Sequence, residues 1–504
     1  LAELTAETLP AFKEERGRLL TTGNGVVYRQ SVYENQGVLY CVGRDSDGKS
    51  MLAFSRKEFR TPFKGSPSRI EGLFVQPIPI DPSNLQTLWQ LFPFTKPVSL
   101  RDRKTTIGMG DRIGLATGGH LRVAKKYQIA PVLAQQSIRE LHYTERSFEE
   151  VVADASFQVF QEGYEDGFGA DGDHLKDKYA VRQALKAGMT MITLDLTEVM
   201  RPDVAEWDTM QVRAEYRKLK KQDGIRFRRE YSGKNFNLDR GSVRVSPEEL
   251  ERAAVMYGPA LDLAESIAKF LERKTGGSYD LEVSIDETTT PTLPAHHLFI
   301  ARELQQRGVK VNSIAPRFVG DFQKAIDYIG DVRTFDREFA VHCEIAKAFG
   351  NYKVSVHSGS DKFSIYPAVG RHTGGRLHLK TSGTSWLEAV RTIASEAPDL
   401  YRKMHEKVYD IYPKALINYH ITADIEAVEP LTERVRDRQL ADYLDDPNWR
   451  QFMHISYGGL LLDPELGPQI KNTLEANEER YHERLEEHFE RHVQELEIPE
   501  RTAE

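Results

Sequence analysis

The strongest constraint on the fold of this chain is a repeat of strand, polar turn and helix running from residue 101 to about residue 390. Short apolar stretches at 105–109, 130–134, 167–170, 189–196, 279–285, 309–314, 352–357 and 376–380 predict eight strands. Helical patterns at 119–127, 148–162, 178–187, 295–306, 337–349 and 385–395 separate most of them. A Gly-ending polar boundary precedes several strands, as in KAG before MTMITLDLT, QRG before VKVNSI and AFG before NYKVSV. Eight strands alternating with helices predict an α/β fold, a (β/α)8 TIM-like barrel. A doubly wound sheet is the alternative, since the third and eighth strands carry the weakest patterns.

The barrel does not account for the whole chain of 504 residues. Residues 1–100 read as an N-terminal mixed α/β region of short strands, with Pro77, Pro79 and Pro82 marking a connector. Residues 101–395 form the expected catalytic barrel, with an insertion near 205–250, and residues 396–504 a mostly helical C-terminal extension. In that extension Tyr481, Leu485, Phe489 and Val493 fall four apart, the pattern of a face docked on the body or on a partner subunit, which leaves a homo-oligomer open. His482, His488 and His492 read as the polar decoration of that helix.

Composition narrows the function. The formal charge of -8 argues against a general polyanion binder, and no stretch approaches 18 consecutive apolar residues, so neither a nucleic-acid nor a membrane partner is expected. One basic, aromatic-containing run, 213–234, could in principle bind nucleic acid. Without a second basic cluster it reads rather as a solvated helix or as an insertion closing over an anionic substrate. Two cysteines exclude a disulfide scaffold and a Cys-rich zinc site, and the opening LAELTAETLPAFKEERG lacks the layout of a secretory signal; both point to the cytoplasm. The 15 histidines mean that any metal site would be built from imidazole and carboxylate. Neither GxGxxG after a strand nor GxxxxGK[ST] is present, so no nucleotide cofactor is expected.

In a barrel the C-terminal strand ends meet around one pocket, and here those ends are rich in reactive types. Glu282, Ser284 and Asp286 alternate with Leu281, Val283 and Ile285, which turns the acids toward the barrel axis if the apolar residues pack on helices. Thr193 and Asp195 share an inward face in the same way. Several buried acids beside histidines need cations or shared protons, which a divalent metal would supply. His174 and His357 each read as a metal ligand or as a hydrogen-bonded structural histidine, with His378 a weaker candidate; Asp195 reads as a ligand or as a group orienting one. Arg112, Gln135, Arg317 and Lys380 are candidates for binding the substrate, the cations for an anionic group on it.

The segments GMGDRIGLATGGH, AQQSIREL, GFGADGDHLK, EVSIDETTTPTLPAHH, NSIAPRFVGDF and VSVHSGSDKFSIYPAVG resemble the tagaturonate/fructuronate epimerase family, most densely from Gly108 to about Ser385. The resemblance implies a cytoplasmic epimerase of hexuronate catabolism, dependent on a divalent cation such as Mn, Ni, Zn or Co. Its substrate would be a small-molecule keto-uronate, or a ketohexose in members acting on tagatose and fructose. It further implies Asp173 as proton acceptor, Glu282 as partner acid, and His174 and His357 as metal ligands, with Asp195, Asp286 and Asp321 all open for the remaining ligand.

The two sugars differ at C4, β to the C2 ketone, where the proton is not acidified, so enolisation cannot invert it. A retro-aldol step can: a base takes the C4 hydroxyl proton, the C3–C4 bond breaks, and the metal stabilises the enediolate. The three-carbon aldehyde turns its other face before the bond re-forms. A metal-dependent sugar-acid aldolase or isomerase is the nearest alternative, and a non-catalytic sugar-acid binding protein the alternative from another class.

Overall fold

The computed structural model describes residues 8–502 apart from residues 16, 23, 24, 47, 71 and 382. Residues 1–7, part of the segment read for a secretory signal, lie outside the described residues. Eight parallel strands close into a barrel: β1 Thr105–Gly108, β2 Ala130–Ser137, β3 Gly169–Leu175, β4 Met191–Asp195, β5 Asp280–Ile285, β6 Ser313–Pro316, β7 Lys353–Val356 and β8 Leu377–Lys380. Each strand pairs with the next in sequence, and β8 pairs with β1 through Leu377 opposite Thr105 and Lys380 opposite Gly108. The (β/α)8 barrel is therefore the fold, and the doubly wound alternative is excluded.

Alternation divides each strand as expected. Ile192, Leu194, Leu281, Val283, Val354, Val356, Leu377 and Leu379 are buried in the continuous core beneath the outer helices. The opposite residues face an interior that is largely polar. Two strands differ from expectation for physical reasons. The third runs on through Asp171, Gly172, Asp173 and His174, because Asp171 pairs with Gln135 and Asp173 with Ser137 across β2. Acidic and glycine residues are poor strand formers, so this extension depends on partners inside the barrel. The sixth begins at Ser313 rather than at 309, and residues 309–312 serve as its lead-in, with the Asn312 amide donating to Leu281 O.

A seven-stranded antiparallel sheet precedes the barrel, its long strands being Val38–Asp45 and Gly48–Ser55. It is fastened at Glu478, which meets Lys49 at 2.5 Å and Arg44 at 3.6 Å. The basic run of the insertion forms the helices Thr209–Tyr216 and Lys221–Tyr231 and enters a hairpin. Two of its charges are paired with acids of the body. Arg226 meets Glu303 at 2.7 Å and Arg228 meets Glu251 at 3.1 Å, both acids on outer barrel helices, while Tyr231 packs on Phe299. Among the described residues no helix is long and apolar enough to cross a membrane.

Five helices position the site: α1 Thr117–Lys126, α2 Ile138–Thr144, α3 Thr384–Glu396, α4 Pro447–Ile455 and α5 Glu478–Glu495. The apolar stripe of α5, Tyr481, Leu485, Phe489 and Val493, is buried, and the helix packs on α1 and α3. Its histidines are not surface decoration. His482 and His492 are buried as well, because the covered face follows the three-and-four spacing of a helix and is wider than the single stripe. Phe489→Ala should cost about 3–5 kcal/mol, read as an earlier denaturant midpoint; a loss below about 1 kcal/mol would show that this face is not part of the cooperative core.

Candidate active site

The centre of the barrel is one buried ammonium surrounded by acids. Lys380, the last residue of β8, places Nζ 2.6 Å from Asp173 Oδ1, 3.0 Å from Asp171 Oδ2 and 3.0 Å from Glu282 Oε1. It also donates to Thr193 Oγ1 at 2.5 Å, and Thr193 donates to Asp171. Ser313 Oγ donates to Glu282 Oε2 at 2.5 Å. Strands β3, β4, β5, β6 and β8 thus each send an inward side chain to one network. Gly108 on β1 makes room for it: a Cβ there would lie 1.8 Å from Gln135 Oε1, a buried oxygen without a partner among the described residues.

Electrostatics follow from this packing. Burial opposes ionisation of Asp173, yet His174 and Lys380 hold its carboxyl well below the usual range. Glu282 is likewise buried and held well below its ordinary value, by Lys380 first and then His357. Burial pushes Asp171 up to about 6, with Lys380 pulling against Asp173 and Glu282. One ammonium does not balance three acids, and Asp171 is the one left nearest neutrality.

Above this layer lie the two histidines. His174 has a left-handed backbone, φ +57°, at a bulge in β3 between Gly172 and Leu175. That bulge breaks the alternation, so that Asp173 and His174, adjacent in sequence, both join the site. His174 Nδ1 is 2.7 Å from Asp173 Oδ1. His357, just after β7, has Nε2 2.6 Å from Glu282 Oε1 and Nδ1 3.2 Å from Asp286 Oδ2. The second contact is close but not aligned as a hydrogen bond, which leaves Nδ1 buried and unsatisfied. The two rings lie 5.3 Å apart. Burial opposes protonation of His357, but Asp286 and Glu282 raise it to about 10, a sign that this pocket demands positive charge.

The other sequence candidates are placed differently. Asp195 accepts from the Thr197 backbone at 2.9 Å and lies 3.8 Å from Lys176. Asp321 accepts from Gln323 at 2.8 Å, with His420 at 3.6 Å. Arg112 is buried against Glu140 at 2.9 Å and stacks on Tyr457. Arg317 pairs through its backbone with Thr292, and its side chain has no hydrogen bond or ion pair among the described residues. His378 lies deeper, 2.9 Å from Thr106, and burial holds it down to about 3.

A second group was not singled out from the sequence. Asp361, His488 and His492 bring one carboxylate oxygen and two ring nitrogens within 4.8 Å of one another, a candidate metal-binding triad consistent with divalent-metal dependence. The i, i+4 spacing of the two histidines on one helix was the available signal. At present His492 Nε2 accepts from the Asp361 amide at 3.1 Å, and His492 Nδ1 is 2.8 Å from His488 O. Both nitrogens of His492 are therefore engaged in tying α5 to the loop after β7.

Comparison with known proteins matches this arrangement to one family. The family described as tagaturonate epimerase (UxaE) matches residues 28–496. The chain belongs to the tagaturonate epimerase family. A tagaturonate/fructuronate epimerase from Thermotoga maritima is 37% identical over 491 residues, covering 97% of this chain and 99% of its own. The glycerol-complexed crystal structure of the fructuronate-tagaturonate epimerase from Cohnella laeviribosi is 38% identical, with a TM-score of 0.89, over 94% of this chain and 96% of that one. Its native form is 37% identical, with a TM-score of 0.87, over 98% of both chains.

Lys380→Met tests the electrostatic centre. With Lys380 present, Asp173 and Glu282 titrate below their unfolded values of about 4. Their contribution to stability is full above that pH and is lost as pH falls through the folded values. Without the cation, both pKa values rise from their lowered positions, with His174 and His357 still opposing burial, so the stability that the ionised acids supply at neutral pH shrinks. The expected loss is about 3–5 kcal/mol at pH 7 and smaller at pH 3, where the wild type has itself lost part of that contribution, from denaturant midpoints; equal losses at the two pH values would contradict this account.

Proposed function

We propose that this member of the family interconverts D-tagaturonate and D-fructuronate by inverting C4 through a retro-aldol and aldol sequence. The observation that carries the reading is the convergence of Asp173 and Glu282 on one ammonium beneath a pair of histidines. The donor types suit a divalent cation: the imidazoles of His174 and His357, with rings 5.3 Å apart, and Asp286, 3.2 Å from His357 Nδ1. His174, His357 and Asp286 would hold the ion, since Asp195 and Asp321 are engaged elsewhere. When bound, it supplies a Lewis acid for the negative charge that develops on the ketone side of the substrate.

The chain's own residues handle the proton. Asp173, held ionised, takes the C4 hydroxyl proton. The C4–O electrons form the aldehyde as the C3–C4 pair passes to the ketone half. The aldehyde turns, the C3–C4 bond re-forms on its other face, and Glu282 protonates the new C4 alkoxide. Lys380 Nζ, within 3.0 Å of both acids, passes the proton from the side that collects it to the side that returns it. His174 and His357 are each oriented by a carboxylate on their other ring nitrogen, the usual support of a ligating histidine.

The test is incubation of the full chain with Mn²⁺, Ni²⁺, Zn²⁺ or Co²⁺ and D-tagaturonate. D-fructuronate should appear; accumulation of three-carbon products would instead identify an aldolase. Glu282→Gln should bind substrate with turnover reduced at least about 100-fold. His174→Ala and His357→Ala should lose both bound metal and turnover. Metal retained in these variants and lost in His488→Ala would move the ion to the Asp361 triad.

A further inference from the structure

A cluster of buried polar groups lies between the barrel mouth and the C-terminal helices, and the proton chemistry leaves it unused. Helix α4 presents Arg450, Gln451 and His454 along one face, at three-and-four spacing. Arg450 donates to Ala325 O at 2.8 Å and Gln451 donates to Lys324 O at 3.0 Å, so the loop after β6 is pinned at Lys324 and Ala325. His454, next on that face, is 1% exposed, and both of its ring nitrogens lack a partner among the described residues. Its ring lies against the loop after β8: a Cβ on Gly383 would come within 1.7 Å of its Cε1. Ser456 Oγ is also buried without a partner among the described residues, while Tyr457 Oη faces Tyr419 Oη. Arg112 joins the group, donating to His454 O at 3.4 Å.

Native interiors seldom leave so many polar atoms unsatisfied, and such a cluster asks for a ligand. The charge of that ligand is set by Lys324. Its ammonium has no hydrogen bond or ion pair among the described residues, unlike Arg112, which Glu140 already neutralises. Lys324 interacts electrostatically with Arg112, Arg139, Glu140 and the proton-accepting Asp173, and His454 with Lys324 and Arg112. The loop after β6 that carries Lys324 opens at the same end of the barrel as Asp173 and Lys380, and Gln451 pins its backbone to the helix that carries His454.

We infer that Lys324 and His454 form the subsite that binds the C6 carboxylate of the sugar acid. This rests on the epimerase reading and gives it a specificity determinant. Cleavage of C3–C4 leaves a three-carbon aldehyde, C4 to C6, whose only charged end is that carboxylate. Lys324 takes one carboxylate oxygen, and His454 donates a ring N–H to it. With C6 held, rotation about C4–C5 exposes the other face of the aldehyde without release of the fragment. A neutral ketose has a hydroxymethyl group at C6 and leaves the ammonium unpaired, so the subsite sets the preference for uronates.

The experiment compares D-tagaturonate with D-tagatose on the metal-loaded full chain, with Lys324→Met and Lys324→Arg. In Lys324→Met the ratio of kcat/KM for the uronate to that for the ketose should fall about 10- to 100-fold, chiefly through KM of the uronate. Lys324→Arg should recover most of it. Titration calorimetry with D-fructuronate and D-fructose supplies a readout independent of turnover: Lys324→Met should lose the preference for the acid. An unchanged ratio, or equal losses on both sugars, overturns the subsite. Failure of the wild type to convert D-tagaturonate overturns the epimerase reading instead, and uronate-selective binding lost in Lys324→Met would still stand for the subsite.

Discussion

Everything at the centre of this barrel depends on the Lys380 ammonium. Three strands bring acids or a hydroxyl to it, and without it Asp171, Asp173 and Glu282 would face one another across a buried interior. An arrangement of this kind is weak evidence for stability, because buried ion pairs often gain less than desolvation costs. What it secures is placement: two carboxylates kept ionised and held apart at fixed positions around one donor. The excess of negative charge, which raises His357 through Asp286 and Glu282, is what a cation at the mouth would answer.

Much of the fold was legible because the barrel obeys a period of two. Leu281, Val283 and Ile285 set against Glu282, Ser284 and Asp286 state which side of β5 faces the helices. The departures have a common cause in tertiary partners that local pattern does not carry. Asp171 and Asp173 look like a loop because such residues rarely build strands; they build β3 here because Lys380, over 200 residues away in the chain, receives them. The left-handed turn at His174 is similarly invisible beforehand, since only its packing against the site reveals why a bulge falls there.

The site was legible in part. Reactive types at predicted strand ends picked out the residues that the barrel brings together, namely Asp173, His174, Glu282, Asp286, His357 and Lys380. A strand end also nominated Asp195, and the family resemblance left Asp321 open, but the structure places both with other partners. Lys324 and His454 could not be found by this route. They lie on a βα loop and a remote helix, and what marks them is the absence of partners, a property that exists only once the chain is folded. The burial of His482 and His492 is of the same kind.

Arg112 reaching the carbonyl of His454 joins two points separated by most of the length of the chain. The order of synthesis gives that contact a meaning. A ribosome releases the eight strands, and with them the ammonium and its acids, well before the helices that roof the mouth. A nascent chain can hold a nearly finished barrel before the helices α4 and α5 are made, since both follow all eight strands in the sequence. A chain cut after β8 would carry the Lys380 cluster without the helix α4 that meets Arg112.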